Sequence, residues 1–345
     1  MMSTQKHGAL DSGTSDGFPR KRSLVRQATD VEDDDFSPFP STIADFGYFF
    51  NDFGQLRHLK TGEPYLFQVR PDDHGYNQRR YEALGDVITE HVYQLLEQET
   101  HLTRVPVPVN VQEDEPSSFI FVSEDAFTNK DRLLILIHGS GVVRAGQWSR
   151  RLIINDSLKK GTQLPYIRRA QGLGYAVIVL NTNDTHRIIN GVRVPVRDCE
   201  TAEKHGRHVW EHIVEKRAAA RHIAVVAHSY GGVVAVNVAT EFFASFSARV
   251  FAVALTDSVH SFARQKSHPR VAQFFNQVGR NWVSSPEHLD RPLRERHDGT
   301  VDVRRVSAGT VTHEMTSWSS FASVFEFLET AYHKKSAGNG EQNDL

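Results

Sequence analysis

The stretch that most constrains this chain is 221–235, where the β-branched run Ile223-Ala-Val-Val-Ala227 ends in His228-Ser229-Tyr230-Gly231-Gly232 and an apolar, helix-like segment follows. Strand, sharp turn with a central serine, then helix is the local plan of a nucleophile elbow. Small neighbours let the backbone turn tightly and raise the serine Oγ above the sheet edge. The first small residue is Ala227 rather than the usual glycine. A small-x-Ser-x-Gly pattern is common in proteins, so its surroundings decide its meaning.

Those surroundings alternate strands with helices. Residues 132–137, 175–180, 223–227 and 250–255 are short apolar runs of the kind buried in a parallel sheet, and 118–122 reads as an earlier strand. Tyr81, Leu84, Val87, Ile88, Val92, Leu95 and Leu96 recur at a helical period within 76–98, while 105–109, Val-Pro-Val-Pro-Val, breaks helicity. Residues 201–216 and 233–243 read as further helices, and 167–172 as a helix end. Right-handed crossovers between such strands predict an α/β fold: a doubly wound, mostly parallel, α/β-hydrolase-like sheet with helices on both faces and active groups at the strand carboxyl ends.

The 345 residues divide by composition into a polar tail, 1–38, a domain over 39–330 and a second polar tail, 331–345. Both tails are expected to be disordered, because they bury too little apolar surface to offset chain entropy. Within the domain, 39–125 forms an N-terminal extension and 126–330 the catalytic-like core; Phe46, Tyr48, Phe49, Phe50 and Phe53 are expected to dock on that core. The formal charge of −2 gives no global pull towards nucleic acid or acidic membranes, and the basic pairs at 150–151, 168–169 and 304–305 are scattered, with no nucleic-acid module. No apolar run approaches the roughly 18 residues of a membrane span. The single cysteine, Cys199, excludes an intrachain disulfide framework and suits a reducing, nuclear or cytosolic compartment. His205, His208 and His212 share a helix face but lack a matching carboxylate or cysteine, so they read as a hydrogen-bonded set; neither metal nor cofactor is expected.

Three side chains fall where one mechanism needs them. Ser229 follows one strand, Asp257 the next, and His313 a later one, and Ser, Asp, His is the chain order of α/β-hydrolases. In His138-Gly139-Ser140-Gly141, small residues let the amides of Ser140 and Gly141 face a developing oxyanion, with the Tyr230 amide as a further donor. Asp298 and Asp302 are alternative acids, but Asp257 alone follows a strongly apolar strand. His228 and His260 are rival bases: the elbow turn aims the first away from Oγ, and the second lies too close to Asp257 in sequence. His138, Gly139, Arg144 and Trp148 are candidate substrate-binding residues; equally, Trp148 packs and the arginines at 144, 150 and 151 cap or solvate a helix.

The segments 133–148, 151–155, 227–232, 254–260, 306–309 and His313-Glu314, together with Gly54-Gln-Leu-Arg-His58, Thr61-Gly-Glu-Pro64 and Arg80-Tyr-Glu-Ala-Leu-Gly85, resemble the Arb-two domain family of argonaute-binding proteins and animal co-transcriptional regulators. The resemblance covers about 39–330. It implies an α/β-hydrolase-like domain serving argonaute, small-RNA, chromatin or splicing proteins in the nucleus and cytoplasm. Two functions stay open: a serine hydrolase acting on an ester, thioester or amide, and a catalytically silent interaction scaffold. Animal members carry a longer charged insertion where this chain has only 182–199, a departure that bears on any partner contact made there.

Overall fold

Apolar runs too short for helices line up as the inner strands of one sheet. The computed structural model describes residues 38–294 and 301–340, with side chains to 337; the expected tail 1–38, apart from Pro38, and Asp298 lie outside the described residues. The strands are β1 (Tyr48–Phe50), β2 (Leu56–His58), β3 (Thr103–Val107), β4 (Ser118–Val122), β5 (Arg132–Ile137), β6 (Ala176–Val179), β7 (His186–Ile189), β8 (Val192–Pro195), β9 (His222–His228), β10 (Val250–Thr256), β11 (Gly279–Val283) and β12 (Arg304–Ser307). Eight of them form a sheet in the order β12-β11-β10-β9-β5-β6-β4-β3. Pairing is parallel from β6 across to β12 and antiparallel at β4 and β3. The chain steps from β5 outward to β6, then returns to β9 on the other side of β5. That reversal opens a crevice beyond the carboxyl ends of β5 and β9, where α/β sheets bind ligands.

Side-chain alternation divides the interior in two. Leu134 and Leu136 of β5 point into one core with Ala224 and Val226 of β9, while Leu133, Ile135 and Ile137 join Ile223, Val225 and Ala227 in the other. Helices His74–Thr100, Leu164–Gly172 and Phe321–Gly340 cover the first face; Ala202–Val209, Gly231–Glu241 and Pro269–Val278 cover the second. No single described helix is long and apolar enough to cross a membrane.

Three elements differ from expectation. The first three residues of the Val-Pro-Val-Pro-Val stretch, 105–107, lie in β3, because this is the sheet's terminal strand and an edge tolerates proline. β11 escapes the apolar pattern since Arg280 and Asn281 interrupt it, although Trp282 is wholly buried. Residues 331–340 are not a disordered tail: the last helix runs on to Gly340, and the Tyr332 hydroxyl donates to Asp131 Oδ2 at 2.8 Å while the Arg132 guanidinium lies 3.7 Å from the Tyr332 ring centre; residues 341–345 lie outside the described residues. The apolar stripe Phe325, Leu328, Tyr332 simply continues, which carries the helix past 330. Of the N-terminal aromatics, Phe46 and Tyr48 dock on the core; Phe49 and Phe53 stay exposed.

Candidate active site

The elbow is built as its residues require. Ser229 has φ 52°, a left-handed conformation costly for a side-chain-bearing residue, and its amide donates to the Thr256 carbonyl at 3.0 Å. Gly231 is obligatory: a Cβ there would lie 2.5 Å from the Ile137 carbonyl oxygen, so only glycine lets the helix Gly231–Glu241 start against the end of β5. Ala227 is wholly buried in β9.

Asp257 follows β10, also at a left-handed φ of 47°, and its amide donates to the Trp282 carbonyl at 2.7 Å. Its Oδ2 stands 2.7 Å from His313 Nδ1, and its Oδ1 accepts from the Ser284 amide at 3.1 Å. The hydrogen bond to Asp257 raises the His313 pKa above its ordinary value against a smaller opposing effect of burial. Burial alone would raise the Asp257 carboxyl, but the hydrogen bonds from His313 and Ser284 together hold it below the usual range. An ionised carboxylate only accepts, so Nδ1 carries the proton and Nε2 is left as the base. His313 Nε2 and Ser229 Oγ share no hydrogen bond in the described contacts. The strand that follows β10, β11, ends at Val283, with serines at 284 and 285 rather than a carboxylate.

The glycine loop lies beside the nucleophile. A Cβ on Gly139 would stand 3.2 Å from Ser229 Cβ, and Gly141 is left-handed at φ 98°. Among the described residues, the amides of Ser140, Gly141 and Tyr230 donate to no other backbone group. The loop's shape is held by two side chains that the sequence reading missed. Asn183 Nδ2 donates to the carbonyls of Gly139 (2.9 Å) and Val143 (3.0 Å), and Asn181 Oδ1 accepts from the Ala145 amide at 2.9 Å. Their signal was available: an Asn-Thr-Asn run directly at the carboxyl end of a buried strand.

Several candidate residues do other work. His138 and Trp148 are buried beside the site, the Trp148 ring edge-on to His228 at 6.1 Å. The Trp148 ring meets Tyr166 edge-on at 5.3 Å, and His138 Nδ1 bonds the Gly139 carbonyl at 2.8 Å, a loop-holding role that leaves no donor for a ligand on that nitrogen. Arg144 also serves the loop, donating to the carbonyls of Val142 and Val143. Arg150 is buried against Gly85 of the long helix and pairs with Asp86 at 3.2 Å; Arg151 pairs with Glu314. The rival base His228 is occupied, with Nδ1 at 2.9 Å from the Thr256 carbonyl oxygen, and burial followed by the His313 charge pushes it down to about 3. The rivals His260 and Asp302 bond each other instead of the elbow serine. Tyr230 sends its hydroxyl to Glu203, which ties helix Ala202–Val209 to the elbow. His205 and His208 are buried on the same helix, each accepting a backbone amide, from Asn181 and Val109.

Comparison with known proteins decides the family. The Arb2 domain matches residues 39–289, nearly three-quarters of the chain. The chain belongs to the Arb2 domain family. It is 43% identical over 346 residues to the cotranscriptional regulator ARB2A homolog of Xenopus tropicalis, covering 86% of this chain and 81% of that protein. Identity to the human cotranscriptional regulator ARB2A is 42% over 347 residues, covering 87% and 82%. Among solved structures, the histone deacetylase Clr3 aligns with a TM-score of 0.47 at 16% identity, over 79% of this chain and 42% of that one. The Arb2 match contains Ser229 and Asp257 and stops before His313.

Proposed function

We propose that this Arb2-domain protein is a serine hydrolase acting on an ester, thioester or amide. The observation that carries the reading is the 2.7 Å bond from His313 Nδ1 to an Asp257 carboxylate held on its other oxygen by a backbone amide, beside a serine in an elbow turn. Asp257 fixes the tautomer, so Nε2 accepts the Ser229 hydroxyl proton as Oγ adds to the carbonyl carbon. The oxyanion faces the free amides of Ser140, Gly141 and Tyr230. As the tetrahedral intermediate collapses, the bond to the leaving group breaks and His313 returns the proton to it. Water, deprotonated by the same Nε2, then releases the acid and restores Ser229. A fluorophosphonate probe tests this: labelling of the wild type and none of a folded Ser229→Ala variant is expected, whereas equal labelling of both overturns the reading.

A second reading rests on the exposed apolar residues at the carboxyl edge, Val142 in the glycine loop, Val259 and Val311, and on Ile188 and Val192 of the β7–β8 hairpin. Such a rim suits a protein partner. Relatives named as cotranscriptional regulators support work within cotranscriptional regulation. Under this reading we propose argonaute, chromatin or splicing proteins as the partners, met in the nucleus and cytoplasm. Under a purely adaptor role, Ser229→Ala recovers the same partners as the wild type in pull-downs, and Val259→Glu with Val311→Glu loses them.

A further inference from the structure

A second Ser–His–Asp chain lies directly behind the first. Ser258 Oγ is 2.8 Å from His260 Nδ1, and His260 Nε2 is 3.1 Å from Asp302 Oδ1. The His260 side chain at the centre is 3% exposed, while Asp302 and Ser258 are half-buried. A carboxylate accepts only, which places the imidazole proton on Nε2 and leaves Nδ1 to accept the Ser258 hydroxyl. The far end is fixed: the Val303 amide donates to Asp302 Oδ1 at 2.7 Å, and Asn276 donates to the Asp302 carbonyl at 2.6 Å.

The near end adjoins the acid of the proposed triad. Ser258 is covalently next to Asp257, and its amide donates to Asn281 Oδ1 at 3.2 Å. Its hydroxyl is seated on Gly232, where a Cβ would collide with Ser258 Oγ, and the Val259 amide reaches the Ser229 carbonyl at 3.3 Å. Asp257 holds a left-handed backbone, uncommon outside glycine although Asp adopts it more readily than most residues, and such a conformation persists where neighbours over-determine it. Ser258, pinned on three sides, is one of those neighbours, beside the Trp282 carbonyl and the Ser284 amide.

We propose that Asp302, His260 and Ser258 are positioning residues: a buried hydrogen-bonded strut that holds Asp257 in place for His313. This rests on the reading that the Asp257–His313 pair serves Ser229, and it explains why the rival acid and the rival base of the sequence are each other's partners. The strut acts through geometry rather than charge, so the acceptor matters and the negative charge does not. In Asp302→Asn, the amide oxygen still accepts from Nε2–H; in Asp302→Ala nothing does.

The test follows the His313 ring by NMR titration in the full chain, a readout that needs no turnover and that general loosening of the fold does not move in one direction. Glu314 and His228 also face this ring and are left unchanged. Asp257→Asn sets the value for complete loss of the carboxylate. Ser258→Ala, which removes one hydroxyl, and Asp302→Ala are expected to move the His313 midpoint down towards that reference and to slow fluorophosphonate labelling of Ser229 about 10- to 100-fold. Asp302→Asn is expected to keep the wild-type midpoint and rate. Wild-type midpoints in folded Ser258→Ala and Asp302→Ala overturn the proposal, as does a fall in Asp302→Asn equal to that in Asp302→Ala. Absence of Ser229 labelling in the wild type, with the His313 midpoint still shifted by the strut variants, overturns the hydrolase reading and leaves the strut standing.

Discussion

At Asp257 a single carboxylate sets both the tautomer and the basicity of His313. A base must be neutral to accept a proton, so a raised His313 pKa places the acid limb of the labelling-rate profile above pH 6.5, the ordinary histidine value. Asp257→Asn is expected to move that limb down and to reduce the labelling rate by about 10³- to 10⁴-fold, measured as rate against pH; an unmoved limb would count against His313 as the base. Asn183 acts one step away, through the carbonyls of Gly139 and Val143. Asn183→Ala should lower the rate about 10- to 100-fold through a slackened loop, with little change in the pH at which the limb falls, because His313 keeps its partner. Ser229, Asp257 and His313 were legible because each follows a strand in the right chain order. For Asn181 and Asn183 the sequence offers only their place at the end of a buried strand, because their partners, the Ala145 amide and the carbonyls of Gly139 and Val143, are presented only by the folded loop.

Among the elements, the elbow and the last helix are the most exposed to test. In Gly231→Ala the new methyl meets the Ile137 carbonyl, so the helix must shift off β5. A stability loss of about 1–3 kcal/mol is expected in urea denaturation, together with loss of labelling. Truncation after Thr330 removes Tyr332 from Asp131 and Arg132, and is expected to cost about 1–3 kcal/mol; an unchanged midpoint would show that the helix end contributes nothing. The strands β5, β6, β9 and β10 were plain in sequence because burial on both faces leaves uninterrupted apolar runs. β3 and β11 were hidden for opposite reasons. Prolines disguised an edge strand, and an Arg-Asn pair broke the apolar run of a strand that is nonetheless buried at every position but Arg280. The β7–β8 hairpin offers only a turn signal, Asn190-Gly191, between residues that stay largely in solvent.

For the whole molecule, buried neutral histidines couple the fold to pH. Burial leads in every case and pushes His138, His205, His208 and His228 down to about 4, 3, 4 and 3. Between those values and 6.5 the unfolded chain binds protons that the folded chain refuses, so stability falls as pH drops below 6.5, by up to ~1.4 kcal/mol per pH unit for each group. His313 has the opposite sign: its contribution is full below 6.5 and is lost as pH rises through its raised value. Calorimetry between pH 7 and 5 should show a falling Tm, and a flat Tm would contradict the neutral burial of these rings. The same burial, on a sheet whose strand order opens its crevice at β5 and β9, is what brings the elbow, the acid and the base to one edge. The most direct test of that arrangement is peptide mass spectrometry of the full chain after fluorophosphonate treatment. The account predicts the adduct on Ser229, lost in Ser229→Ala and strongly slowed in Asp257→Asn. No adduct on Ser229 in the folded wild type, or an equal one in Asp257→Asn, would contradict it.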